Sequence, residues 1–193
     1  MAGTIELKTD RLILRKHVSE DAQVLYENFG KDEKMYEYSG WNPYATRQMA
    51  EETVKEFIES YSDDRFYGWA IGLDGKMVGT IGAYDYNPPE EIDQHAAHED
   101  LDNDHRSGSI EIGISVMRKM WKQGIAREAL ECVLAYLTES EGIGTVKAWC
   151  AAGNTGSQKI MEKCGMKMTS VERDALEIGG SKYDKLNYEY TKK

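Results

Sequence analysis

Residues Ser109–Ala129 read SIEIGISVMRKMWKQGIAREA, and the parsing of this stretch decides the fold. Ile110, Ile112, Ile114 and Val116 alternate with Glu111, Gly113 and Ser115, the period of a strand with one buried face. Apolar residues return at Ile125, Ala129, Val133 and Leu137, with Ala126, Leu130 and Leu134 beside them, the spacing of a helix face. The break between strand and helix is Trp121-Lys122-Gln123-Gly124. Gly124 lets the backbone turn tightly and come close to a ligand. The first amides of a helix have no internal acceptors and are free to bind an anion. Lys122 and Arg127 add positive charge. The unit is a phosphate-binding device, but it is not a P-loop, because no Gly-Lys-Ser/Thr follows.

Working outward, Thr145–Cys150 is a strand that enters the sheet beside the central one. Gly142-Ile143-Gly144 stops the helix before it. Asn154 caps a short helix with Ile160, Met161 and Cys164 inward and Gly165 just past its end. Met168–Leu176 and Lys182–Tyr190 form a last hairpin around Gly179-Gly180. Upstream, Phe66–Leu73 and Met77–Tyr86 are two strands joined at Asp74-Gly75-Lys76, a strong hairpin signal. Ile5–Lys8 and Leu12–Lys16 are short strands, with Arg11 and Arg15 facing outward. Ser19 is expected to cap a helix that runs to about Phe29 and stops at Gly30. Thr46 caps a second helix whose buried face is Ala50, Val54, Phe57, Ile58 and Tyr61. Strands in antiparallel pairs mixed with helices argue for an α+β fold. One domain over residues 1–193 is expected, with an acidic loop insertion at about 87–107.

Composition excludes several function classes. The net charge of -10 is uneven: eight acids and no Lys or Arg fall between Asp85 and His105. Phosphate contacts need clustered cations, so nucleic-acid binding is not expected. An acidic face favours a cationic partner, although a solvated loop is the simpler reading. No apolar run approaches the roughly 18–20 residues of a membrane span, and MAGTIELKTDR lacks the apolar core of a signal peptide. Cys132, Cys150 and Cys164 read as reduced thiols, so a cytoplasmic location is expected. His95, His98 and His105 stand among carboxylates, but no periodic scaffold would hold a metal, and none is expected.

Three motifs in order resemble the GNAT superfamily of acyltransferases. Gln123-Gly124-Ile125-Ala126 is similar to its pyrophosphate loop, [Arg/Gln]-x-x-Gly-x-[Gly/Ala], with Trp121 in the Arg/Gln place. Asn154-Thr155-Gly156-Ser157 followed by Glu162-Lys163-Cys164-Gly165-Met166 is similar to Asn-x-x-Ser-x-x-x-x-Glu-Lys-x-Gly-Phe. Thr9-Asp10-Arg11-Leu12-Ile13-Leu14-Arg15 resembles the opening of the branch that acetylates ribosomal-protein N-termini, the RimJ/RimL type. The resemblance implies a mostly antiparallel central sheet flanked by helices, whose central strands splay to form an acyl-CoA cleft. It implies acetyl-CoA as cosubstrate and an amine acceptor, with a peptide or protein N-terminus favoured. Carried over, the backbone of Ile114, Val116 and Met117 meets the pantetheine arm, and Lys122, Gln123, Gly124, Ile125, Ala126 and Arg127 meet the pyrophosphate. Asn154 contacts the arm as well as capping its helix. Where many family members place a proton-donating tyrosine stands Met161, so Ser157 is the replacement candidate for protonating the departing thiolate.

Glu111 is the sharpest catalytic candidate. A carboxylate in an apolar strand must face water, a partner or a cleft, because unpaired burial is costly. An amine protonated near pH 7 attacks a thioester only after losing a proton, which calls for a base. The resemblance puts the family's glutamate on this strand. The plain alternative is a solvent-facing residue or a structural hydrogen-bond partner. A backbone N–H near Ile114 is placed to polarise the thioester carbonyl. Tyr36, Tyr38, Trp41 and Tyr44 lie where the family walls its acceptor pocket, although satellite core is the simpler role for them. Small amines remain open as acceptors, as does a module that binds acyl-CoA without turnover. The expected assembly is a monomer or a homodimer.

Overall fold

The computed structural model describes residues 2–88 and 108–191. Residues 89–107, which hold the acidic stretch beyond Asp85 together with His95, His98 and His105, lie outside them. The strands in chain order are Leu7–Lys8 (β1), Leu12–Arg15 (β2), Tyr67–Leu73 (β3), Lys76–Asn87 (β4), Ser109–Val116 (β5), Thr145–Ala151 (β6), Lys167–Ile178 (β7) and Ser181–Thr191 (β8). They form one sheet in the order β1-β2-β3-β4-β5-β6-β8-β7. Every neighbouring pair is antiparallel except β5 and β6. The helices are Asp21–Leu25 (α1), Arg47–Ser60 (α2), Ile125–Ala135 (α3) and Thr155–Lys163 (α4). This is the expected α+β architecture with a mostly antiparallel sheet.

Strand alternation and helix periodicity meet in the core. Ile110, Ile112 and Val116 of β5 are buried together with Val146, Ala148 and Cys150 of β6 and with Ile125, Ala129, Leu130, Val133 and Leu134 of α3. Burial of such side chains stabilises by roughly 1.5–3 kcal/mol each. The β3–β4 hairpin turns on two residues, Asp74 (φ 49°) and Gly75 (φ 74°), with Leu73 paired to Lys76. Two left-handed residues match the twist of the flanking strands and fix the β3–β4 register; on its other edge β4 pairs with β5, with Tyr84 opposite Glu111.

Near the N-terminus the structure corrects two expectations. Ser19 does not cap α1, which starts at Asp21 after Glu20 with no side-chain cap. The helix continues as a π-turn over Tyr26–Gly30 and ends at Gly30 as expected. Arg15 does not face outward: its two terminal nitrogens each lie 2.8 Å from Asp21. The same carboxylate accepts from the Val18 N–H and stands 3.3 Å from His17 Nδ1. Burial opposes the Asp21 charge, but hydrogen bonds from Arg15 and Val18, with the His17 ring close by, outweigh it and hold the carboxyl well below the usual range. In α2, Thr46 caps as expected and Ala50 and Val54 are buried, whereas Ile58 is 39% exposed. Among the described residues no helix is long and apolar enough to cross a membrane, and no group of three or more His, Cys, Asp or Glu could hold a metal.

Candidate active site

The site begins where the sheet comes apart. β5 and β6 pair only from Ser109↔Thr145 to Glu111↔Lys147. Beyond Glu111 β5 keeps its other neighbour, pairing with β4 as far as Val116↔Gly79. The Met117 N–H donates to Val78 at 2.9 Å. Hydrogen-bonded and non-bonded pairs alternate in an antiparallel ladder, so Met117, Ser115 and Gly113 direct their backbone groups at β4. Ile112 uses its N–H in the last β5–β6 pair, and Ile114 and Val116 therefore direct their backbone groups into the gap that opens towards β6.

This alternation sorts the expected arm contacts. The N–H and C=O of Ile114 point into the gap, as does the N–H of Val116. The Val116 carbonyl is taken by the Trp121 indole N–H at 2.6 Å. Met117 is corrected, since its N–H is committed to Val78 and its C=O accepts from Met120 at 2.9 Å. Trp121, the residue that departs from the family pattern, thus ties the loop back to the end of β5.

At the end of β5 one 3₁₀ turn over Arg118–Met120 leads into the loop. Lys122 (φ 62°) and Gly124 (φ 81°) are both left-handed, and Gly124 is the N-cap of α3 with no side-chain hydrogen bond. The first helical bond runs from the Glu128 N–H to the Gly124 carbonyl at 3.0 Å. The N–H groups of Ile125, Ala126 and Arg127 precede it and have no intrahelical acceptor. Lys122, Gln123 and Gly124 are exposed, while Ile125 is buried and anchors the turn. Arg127 is exposed and pairs with Glu131 at 2.8 Å. The fixed positive end of the helix and the open gap beside β5 fit a phosphate group followed by an extended chain.

Glu111 sits at the apex of the gap. Its carboxylate accepts from Trp149 Nε1 of β6 at 2.8 Å, one alternation beyond the last β5–β6 pair. Tyr84 lies directly opposite on β4, with its phenol close enough to feel the charge of the same carboxylate. A Cβ on Gly113 would stand 3.3 Å from the Tyr84 hydroxyl, so this side chain lies across the glycine. Burial of the hydroxyl, then the Glu111 charge, push the phenol up, and it stays a donor at neutral pH. Lys185 of β8 stacks over the Trp149 ring, 5.2 Å from its centroid.

Trp149 and Tyr84 were not singled out from the sequence. Alternation in Thr145–Cys150 could have found Trp149, because it puts Val146, Ala148 and Cys150 in the core and an aromatic on the face of Glu111.

Asn154 caps α4, accepting from the Ser157 N–H at 3.1 Å, and Ser157 is half-buried in the first turn. Met161 is buried. The four loop aromatics divide: Tyr44 is core, edge-on to Phe29, whereas Trp41 is 68% exposed. Tyr38 packs edge-on against Tyr183 of β8 and lies over Gly153, where a Cβ would fall 2.6 Å from its ring. Tyr38 thus joins the loop before α2 to the residue that precedes Asn154. Burial raises all three thiols, Cys150 to about 11 and Cys164 to about 12, so none is poised as a nucleophile.

A sheet parted beside a strand with free backbone groups, with an uncapped helix start at its mouth, defines the scaffold of an acyl-CoA-dependent acyltransferase. The chain belongs to the GNAT acetyltransferase family, whose domain model matches residues 11–167. It is an N-acetyltransferase dependent on acetyl-CoA. It is 29% identical over 188 residues to the uncharacterized N-acetyltransferase YoaA of Bacillus subtilis (strain 168), covering 96% of each chain. Among solved structures, RimL, a ribosomal L7/L12 α-N-protein acetyltransferase in complex with coenzyme A, superposes with a TM-score of 0.80 at 15% identity, covering 97% of this chain and 98% of that one. A GNAT-family acetyltransferase from Bacillus anthracis superposes with a TM-score of 0.76 at 21% identity, covering 97% and 98%. At these identities the structural matches establish the fold.

Proposed function

We propose that the protein transfers the acetyl group of acetyl-CoA to the amine of a peptide or protein N-terminus, by direct attack in a ternary complex. The observation that carries this reading is the early end of β5–β6 pairing, with Glu111 at the apex and the Ile114 and Val116 backbone beyond it. Acetyl-CoA supplies an activated thioester. The amides of Ile125, Ala126 and Arg127, with Lys122, Gln123 and Gly124 around them, hold its diphosphate. Ile114 and Val116 align the pantetheine arm as an added strand would, and the Ile114 N–H faces the thioester oxygen. Asn154, which caps α4 just after β6, contacts the arm from the other side.

Glu111 acts as base. Trp149 donates to its carboxylate and fixes its direction, with Tyr84 beside it, and it takes the proton of the incoming ammonium, directly or through a water. The neutral amine then adds to the carbonyl carbon, the carbon–sulfur bond breaks, and the thiolate leaves. The nitrogen sheds its second proton as the amide forms, and the Ser157 hydroxyl relays it to the thiolate, taking up one proton as it gives one, so that free coenzyme A leaves as the thiol. An acyl-enzyme is disfavoured by the thiols, which burial keeps protonated.

The peptide acceptor is supported by likeness to RimL and to a ribosomal-protein-S5-alanine acetyltransferase from Vibrio fischeri. It is also supported by the sequence opening at Thr9–Arg15. A thiol-release assay across peptide N-termini, polyamines and free amino acids tests it. Turnover on peptides above the other amines is the expected result. Turnover confined to small amines would replace the acceptor and keep the chemistry. Binding of coenzyme A with no turnover on any amine would favour a sensor.

A further inference from the structure

We infer that Arg11, in the turn between β1 and β2, is a positioning residue that holds the diphosphate loop in shape and cancels a charge that would repel the ligand. The inference rests on the loop reading proposed above. Arg11 reaches both ends of the loop. Its Nη1 donates to the Gln123 carbonyl at 3.1 Å, just before Gly124. Its Nε and Nη2 lie 2.7 and 2.6 Å from Glu128 Oε2, and its backbone N–H donates to Oε1 at 3.0 Å. The Thr9 hydroxyl donates to the same Oε1. Gln123 and Glu128 bracket the three amides left free at the start of α3, so one guanidinium spans the binding segment. The anchor itself is fixed to the sheet. Thr9 and Leu12 close the turn with two hydrogen bonds of 3.0 and 2.9 Å, and Leu12 is buried in β2.

The loop needs an outside support. It carries a non-glycine residue in left-handed geometry, Lys122, and its helix has no side-chain cap. Trp121 and Gln123 bond back to Val116 and Lys119 on the approach to the loop, but the Gln123 carbonyl at the turn itself is held by Arg11 from the β1–β2 turn. Arg11 also settles an electrostatic conflict. Glu128 lies in the first turn of α3, where a carboxylate favours the helix but opposes a diphosphate. Burial works against the Glu128 charge, yet the bonds from Thr9 and Arg11 keep its carboxyl below the ordinary value, so the charge persists and must be matched. The Arg11 side chain is 47% exposed. A pair so exposed contributes little to global stability, so its value lies in the loop.

The test compares two donors, acetyl-CoA and acetyl-pantetheine, which lacks the diphosphate. Arg11→Gln is expected to lower the ratio of kcat/KM for acetyl-CoA to that for acetyl-pantetheine by about tenfold, through KM for acetyl-CoA. Its Tm should stay within about 4 °C of wild type. Adding Glu128→Gln should restore part of the ratio, because the repelling carboxylate is gone. An unchanged ratio, with both donors falling together or neither falling, would overturn the inference. If Arg11→Gln folds poorly, Arg11→Lys is read in the same way: it keeps the charge, loses the fork, and should still lower the ratio. A wild-type enzyme indifferent to the diphosphate would overturn the loop reading itself, an outcome distinct from failure of Arg11 alone.

Discussion

Glu111→Gln separates the base from the structural partner. Glutamine keeps the shape and a carbonyl oxygen that can still accept from Trp149 Nε1, now 2.8 Å from the carboxylate. A bond to a charged acceptor is about twice as strong as a neutral one, so the substitution costs about 1 kcal/mol of stability. For a chain of this size that is a fall in Tm of about 2–4 °C. Coenzyme A affinity should not change, because the Ile114 and Val116 backbone and the loop at Gly124 are untouched. Catalysis should fall by about 10²–10⁴ if Glu111 removes the ammonium proton. The loss has a pH signature. An α-amine titrates near about 8, so above that pH the acceptor is already neutral and the deficit should shrink. Thiol release at saturating acetyl-CoA, followed from pH 6.5 to 9.5, reads both effects. A kcat within about threefold of wild type throughout would refute the base, leaving Glu111 as a pin between β5 and β6.

Other perturbations address separate parts of the account. Trp149→Phe removes the donor but keeps the carboxylate, so kcat should drop about tenfold with coenzyme A affinity unchanged in calorimetry. Gly124→Ala forces a Cβ into left-handed geometry at φ 81°, with ordinary contact to Arg11 at 3.4 Å; it should cost about 1–2 kcal/mol in denaturant unfolding and weaken coenzyme A binding. Asp21→Asn leaves Arg15 without its carboxylate and should cost about 3 kcal/mol. The folded Asp21 carboxyl is held below its unfolded value, so its stabilisation is complete above about pH 4 and is lost as pH falls further. Wild type should therefore lose more stability than Asp21→Asn in acid unfolding. Cys150 and Cys164 should resist iodoacetamide in the native protein at pH 8 and react once it is unfolded.

What could be read in the sequence was local. Alternation in Ile110–Val116 placed the core strand, Asp74-Gly75 placed a hairpin, and Asn154 placed a helix cap, each within a few residues. The splay itself was expected only through the resemblance, since nothing in Thr145–Cys150 says where pairing stops. The bonds that shape the site are distant in sequence: Trp149 to Glu111 spans 38 residues, and Arg11 to Glu128 spans 117. Their partners are chosen by sheet order, which periodicity does not report. Met117 shows the limit in the other direction. Its place beside Val116 suggested an arm contact, but its ladder parity turns its amide to Val78. Ser19 misled for a related reason, because Asp21 is recruited by Arg15 and His17 and takes over the helix start.

The most direct test of the central claim is residue-resolved amide hydrogen exchange with and without coenzyme A. The account predicts new protection at Ile114 and Val116, where the arm pairs with β5, and at Ile125, Ala126 and Arg127, where the diphosphate sits. Met117 should not change, because its amide is already bonded. Saturating coenzyme A that leaves Ile114, Val116 and the start of α3 unprotected would contradict the cleft assigned here.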